Sequence, residues 1–159
     1  MTALPHFQLW IDGARTEGED GQIMDTINPA TGAPWASFAC AAPADVDRAV
    51  MAAARMLDDP AWRDLTATAR GKLLLRLADL IERDAASLGA LETTDSGKLL
   101  AETAAQTRYV ADYYRYFAGL ADKLEGAVLP IDKPDMLVFT TREPIGVVAA
   151  IVPWNAQMF

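Results

Sequence analysis

Apolar and polar positions recur along this chain at two different periods. Over the first forty residues, short β-like runs at Phe7 to Ile11 and Ile23 to Asn28 are punctuated by turn formers at Asp12-Gly13, Glu17 to Gly21 and Pro29 to Gly32. Such punctuation predicts hairpins or edge strands. From Pro43 the period lengthens, with Val46, Ala49, Val50, Ala53, Met56 and Leu57 at helical spacing. Pro43 suits a first helical position and Asp45 and Asp47 favour the positive N-terminal end, so a helix is expected to about Asp58, where Asp59-Pro60 stops it. Thr66 is the N-cap expected for a second helix, whose Leu73, Leu74, Leu77, Leu80 and Ile81 make one apolar stripe. A third helix is expected from Ala85 to about Thr94, ending before Ser96-Gly97, and the longest from about Leu99 to Lys123.

In that longest helix Tyr109, Tyr113, Tyr116, Phe117, Leu120 and Leu124 gather on one side, and the ordinary reading of such a stripe is core. After Gly126 the pattern turns strand-like again, with alternation over Met136 to Thr141 and with Pro130 and Pro134 confining the preceding stretch to a turn or an edge. Ile145 to Val152 is almost wholly apolar, the pattern of a strand buried on both faces of a parallel sheet. Only one such strand is visible, so the expected class is α/β: helix-rich, with peripheral hairpins and a solitary sheet-core strand, a truncated fold rather than a finished small one.

Composition narrows the function. The 159 residues are 52% hydrophobic and 23% charged, the balance of a chain that folds around a core. The net charge of −8 repels phosphate backbones and anionic lipid headgroups, which makes nucleic acid and membrane surfaces poor partners. No apolar run approaches the roughly 20 residues needed to cross a bilayer, and Met1 to Trp10 lacks the features of a secretory leader. With a single cysteine, Cys40, a reducing compartment and a cytoplasmic location are expected.

Several chemistries fail on inspection. Glu92 to Leu99 contains Gly97-Lys98 but lacks the other residues of a P-loop, and no G-x-G-x-x-G occurs. One histidine, His6, and one cysteine cannot assemble a soft metal site, so no metal is expected. Cys40 has small, apolar neighbours and no base, which reads as a structural thiol. His6 reads as an exposed residue of the N-terminal tail.

The distinctive stretch runs from Arg142 to Asn155, where an apolar strand ends in Pro153-Trp154-Asn155. That places an indole and a carboxamide at the C-terminal edge of a parallel sheet, where open α/β folds hold ligands. A carboxamide there can donate hydrogen bonds to a developing oxyanion without a charge to desolvate. On spacing alone, Asn155 serves equally well to cap a following helix or close a turn.

With these residues on view, the chain resembles the NAD(P)-dependent aldehyde dehydrogenase superfamily. The likeness is carried by Glu143-Pro-Ile-Gly-Val-Val and Pro153-Trp-Asn, by Ile27-Asn-Pro-Ala-Thr-Gly32 followed by Ala44-Asp-Val-Asp-Arg-Ala-Val50, by Leu91-Glu92 to Gly97-Lys98, and by Tyr116-Phe-Ala-Gly-Leu-Ala-Asp-Lys123. It covers Phe7 to Phe159 and corresponds to about the first third of a family chain. The resemblance implies that residues 1–159 are an incomplete, Rossmann-like NAD(P)-binding domain. In it Ile151, Val152, Pro153 and Trp154 contact NAD or NADP, and Asn155 is the oxyanion-hole amide. It also implies oxidation of a small-molecule aldehyde to an acid through a cysteine thiohemiacetal and thioester. Tyr109 and Tyr113 would face the substrate tunnel, with Met158 near its mouth, and residues 123–142 would be a hairpin shared between subunits of a homo-oligomer. The nucleophilic cysteine and the general-base glutamate of the family pattern match nothing in residues 1–159, so the chain alone is expected to be inactive. The competing reading is a noncatalytic helical assembly module that binds a second chain.

Overall fold

The computed structural model describes residues 4–155 and 157–158. In chain order the elements are β1 (His6–Phe7), β2 (Leu9–Ile11), β3 (Ala14–Thr16), β4 (Ile23–Asn28), β5 (Ala33–Ala39), α1 (Pro43–Asp58), α2 (Pro60–Arg63), α3 (Ala67–Arg83), α4 (Ala85–Ser96), α5 (Leu100–Leu120), β6 (Val128–Leu129) and β7 (Val138–Phe139). Turn chemistry explains the small sheets. Asp12 and Gly13 both take positive φ, 54° and 74°, the mirror-image turn that matches strand twist, and they join β2 to β3 as an antiparallel hairpin. The strands β4 and β5 pair antiparallel, and β1 returns to lie parallel to β5, giving the order β1-β5-β4.

Helix ends follow local sequence. Thr66 caps α3 by accepting the Ala69 N–H at 3.2 Å, and Gly97 ends α4 in the left-handed region with φ of 77°. Asp59-Pro60, expected as a stop, also starts something: Asp59 Oδ1 accepts the Ala61 N–H at 2.8 Å and Pro60 opens the one-turn α2. The longest helix ends at Leu120 rather than at Lys123.

The core lies where α5 packs on α3 and α4, and it is built from small residues. Ala78, Ala111 and Ala118 are buried there, and so are Thr103 and Thr107. Thr107 Oγ1 donates to the Thr103 carbonyl at 2.8 Å, while the Thr93 and Thr103 hydroxyls share a hydrogen bond of 2.7 Å, so these buried hydroxyls are satisfied. A Cβ on Gly71 would lie 2.8 Å from the Ala118 carbonyl oxygen, and one on Gly89 would lie 3.0 Å from the Ala104 Cα. The two glycines are what let the helices approach this closely.

Two expectations are corrected. The aromatic stripe of α5 is not core, because Tyr109, Tyr113, Tyr116 and Phe117 are exposed and the opposite, small-residue face is the one that packs. Ile145 to Val152 is neither a regular strand nor buried. Gly146 turns its backbone to a φ of 117°, and no described residue offers it a strand to pair with. Parallel pairing requires a neighbour joined by a crossover, and the described sheets contain none beside this segment.

Candidate functional site

The carboxamide of Asn155 sits in a turn that directly follows the apolar segment 145–153. Asn155 is exposed, and its side chain makes no hydrogen bond to another described residue. Gln157, two residues on, is anchored. Gln157 Nε2 donates a long hydrogen bond of 3.4 Å to Asp95 Oδ2 on α4, and Asp95 Oδ1 accepts from the Thr26 hydroxyl on β4 at 2.5 Å. The turn bearing Asn155 is thereby held against the junction of the β1-β5-β4 sheet with α4, while the amide itself stays open.

Before it, Ile151, Val152, Pro153 and Trp154 are all exposed, Ile151 to 95% and Trp154 to 81%. Segment 145–153 makes no backbone hydrogen bond to the described residues, so its amides and the indole face are free to receive a ligand or another chain segment. The four residues therefore form an open apolar ledge rather than an enclosed pocket.

Tyr109, Tyr113 and Met158, separated by up to 49 residues of sequence, meet at one cavity of about 180 Å³ that Val110 and Tyr114 also line. Val110 and Tyr114 escaped the sequence reading, although their positions one residue on from Tyr109 and Tyr113 would have placed them on an adjacent strip of the helix. A larger cavity of about 340 Å³ lies between the sheet and α4, with Phe7, Trp35, Phe38, Leu91, Asp95 and Gln157 among its walls. Met158 lines both.

His6 and Cys40 fall elsewhere. His6 lies in β1 and not in a tail, with Nδ1 2.9 Å from the Ser37 hydroxyl and Nε2 3.1 Å from Glu17, so it braces β1 against β5. Cys40 is free and half-buried just after β5. Among the described residues no group of three or more His, Cys, Asp and Glu side chains could hold a metal ion, and no helix is long and apolar enough to cross a membrane.

Comparison with known proteins shows what the chain is similar to. The family model described as "Aldehyde dehydrogenase family" matches residues 15–159. The chain is 56% identical over 157 residues to (Z)-2-((N-methylformamido)methylene)-5-hydroxybutyrolactone dehydrogenase of Acinetobacter baylyi, covering 98% of this chain and 32% of that protein. It is 40% identical to aldehyde dehydrogenase 1 of Tanacetum cinerariifolium, with 96% of this chain and 30% of that protein covered. Among solved structures, betaine aldehyde dehydrogenase of Staphylococcus aureus in complex with NAD+ superposes with a TM-score of 0.89 at 36% identity, over 93% of this chain and 30% of that one. The chain thus spans about a third of the length of these relatives, and its helix-rich α/β arrangement is the N-terminal part of their Rossmann-like fold.

Proposed function

The chain belongs to the aldehyde dehydrogenase family, and from that premise we propose that it supplies three parts of an NAD(P)-dependent aldehyde-oxidising site. Asn155 is the oxyanion amide, Ile151 to Trp154 are one wall of the cofactor cleft, and Tyr109, Tyr113 and Met158 line the approach of the aldehyde. The observation that carries this reading is the open carboxamide of Asn155 at the end of an exposed, unpaired apolar segment.

The ledge fits a nicotinamide nucleotide as one wall. Trp154 and Ile151 offer flat apolar surface, and the unpaired backbone offers donors and acceptors beside it. When bound, the cofactor supplies the hydride acceptor. The chain's own contribution is electrostatic: the Asn155 amide donates to the aldehyde oxygen as negative charge builds on it, and being neutral it carries no ion to strip of water. Cys40 is no nucleophile in this scheme, since no base stands against it among the described hydrogen bonds and it lies in the sequence far from the family pattern. We propose accordingly that the 159-residue chain alone is inactive and that its single free thiol suits a reducing cytoplasm.

Residues 123–142 are the proposed self-association element of a homo-oligomer. They hold the antiparallel β6–β7 pair, on which Val128 and Phe139 are exposed, with Leu137 exposed just before β7. The exposed leucines of α3, Leu73, Leu75 and Leu77, favour the second reading, a noncatalytic module that binds another chain.

Titration with NAD+ separates the two. Saturable quenching of fluorescence that disappears in Trp154→Phe supports the cofactor wall. No response, together with a stable complex formed with a second chain, favours the module. NADH formation from an aldehyde by a chain of verified 159-residue mass would overturn the inactivity.

A further inference from the structure

We infer that Asp95 and Gln157 position the Asn155 amide for the reaction, as a clamp between the end of α4 and the turn that carries it; this rests on the reading of Asn155 as the oxyanion amide. Three contacts carry it, each between described residues. The first fixes the carboxylate. Asp95 is half-buried at the next-to-last position of α4, and its Oδ1 accepts the Thr26 hydroxyl of β4 at 2.5 Å. The second fixes the helix end. A Cβ on Gly97 would lie 2.8 Å from Pro29 Cγ, so α4 stops against the turn after β4. Ser96 Oγ and the Gly97 N–H also tie its last turn to the Glu92 and Thr93 carbonyls at 2.6 and 2.9 Å. Both a strand and a helix end therefore set the direction of the Asp95 carboxylate.

The third contact reaches the site. Gln157 Nε2 donates to Asp95 Oδ2 at 3.4 Å, and Gln157 Oε1 is also shielded from solvent, so the whole carboxamide is turned inward. An ionised carboxylate only accepts, which directs the amide nitrogen toward Asp95. Glu92, one turn earlier on α4, holds Lys98, so the cation at this helix end is engaged there and a neutral donor meets Asp95.

Gln157 is two residues from Asn155, which keeps their Cα atoms within about 7 Å. A shift of Gln157 therefore carries the Asn155 amide with it, and misplacement by about 1 Å is enough to cost up to about 10²-fold in rate. At 3.4 Å the clamp is long, so the expected loss is smaller, about tenfold.

The two partners can be exchanged, which separates clamping from packing. Asp95→Asn keeps an oxygen for the Thr26 hydroxyl and offers Nδ2, while Gln157→Glu offers the acceptor in return. On the 159-residue chain, Gln157→Glu alone sets two carboxylates against each other and should shift the side-chain amide resonances of Asn155 in NMR spectra. The double variant should return them, with far-ultraviolet circular dichroism unchanged throughout. In an enzyme of full family length that carries residues 1–159 otherwise unchanged, Gln157→Glu should lower kcat about tenfold with KM for NAD+ within about twofold. Gln157→Ala, which removes the donor without adding a charge, should lower kcat about fivefold, and the double variant should recover to within about threefold of the parent. In an Asn155→Ala background, Gln157→Glu should change kcat by less than about twofold, since the group it positions is gone. If Asn155→Ala lowers kcat and the Gln157 variants do not, or if the double variant recovers nothing, the clamp is overturned and the oxyanion reading stands. If the resonances move and return as expected but Asn155→Ala leaves kcat within about threefold of the parent, the oxyanion reading falls and the positioning role falls with it.

Discussion

The carboxylate of Asp45 on the first turn of α1 accepts the backbone N–H of Glu19, 26 residues earlier, at 2.9 Å. The same oxygen takes the Ala42 N–H at 2.8 Å, and Arg48 pairs with the other. Asp45 is fully buried, so one side chain both closes the N-terminus of α1 and fastens the loop after β3 to it. These bonds favour the ionised form: the Glu19 and Ala42 amides, and then Arg48, hold the Asp45 carboxyl below its ordinary range.

The sign of the pH dependence follows. A carboxyl whose folded-state pKa is depressed stabilises the fold above its unfolded value and loses that contribution as pH falls through the folded one. Asp45→Asn is expected to lower Tm by about 5–10 °C near pH 7, and the gap between the two proteins should narrow below about pH 4. Thermal melts of both proteins from pH 7 to pH 3 check it.

Gly18 lies in the loop that Asp45 fastens. A Cβ there would stand 2.0 Å from the Cys40 carbonyl oxygen, a backbone atom that cannot move aside alone. Gly18→Ala should cost about 3 kcal/mol or more in denaturant unfolding, while Gly21→Ser, whose Cβ meets nothing nearby, should cost less.

Glu92 is nearly buried between α4 and α5, and Lys98 Nζ reaches it at 2.8 Å while also donating to Gln106. Removing the lysine leaves a buried carboxylate without its cation. Lys98→Met is expected to destabilise the chain by about 3 kcal/mol, and the double variant Glu92→Gln with Lys98→Met should recover part of that loss in guanidinium unfolding.

The sequence carried the helices well because their ends have local causes. Pro43, Thr66 and Gly97 act on their own backbone, and the structure begins α1 and α3 and ends α4 where those residues require. It carried the helix packing poorly. Periodicity weighs large apolar side chains, so it chose the Tyr109–Phe117 stripe, whereas the buried face of α5 carries Thr103, Thr107, Ala111 and Ala118, with Ala118 close to Gly71 and residues 103–104 close to Gly89. Close approach of backbones leaves its mark in small residues, which a hydrophobic pattern does not register. The strand β5 and its parallel pairing with β1 were likewise invisible, since they depend on contacts between segments some thirty residues apart. For the site, Asn155 and the Ile151–Trp154 run were legible as a motif. Their exposure was not, because a buried-strand pattern describes the partner a segment requires, not the one it has.

The β6–β7 hairpin offers a separate test. A Cβ on Gly126 would lie 1.8 Å from the Thr140 carbonyl oxygen, across the base of the hairpin. Gly126→Ala should therefore disrupt residues 128–139 and, if the proposed self-association runs through this hairpin, weaken it at least tenfold in sedimentation velocity. The melting of the helical core should shift by less than about 2 °C.

The most direct measurement concerns Asn155 in an enzyme of full family length that carries residues 1–159 unchanged. If its carboxamide holds the oxyanion, Asn155→Ala lowers kcat by about 10²–10³-fold with little change in KM for the cofactor. A kcat within about threefold of the parent enzyme would contradict that role.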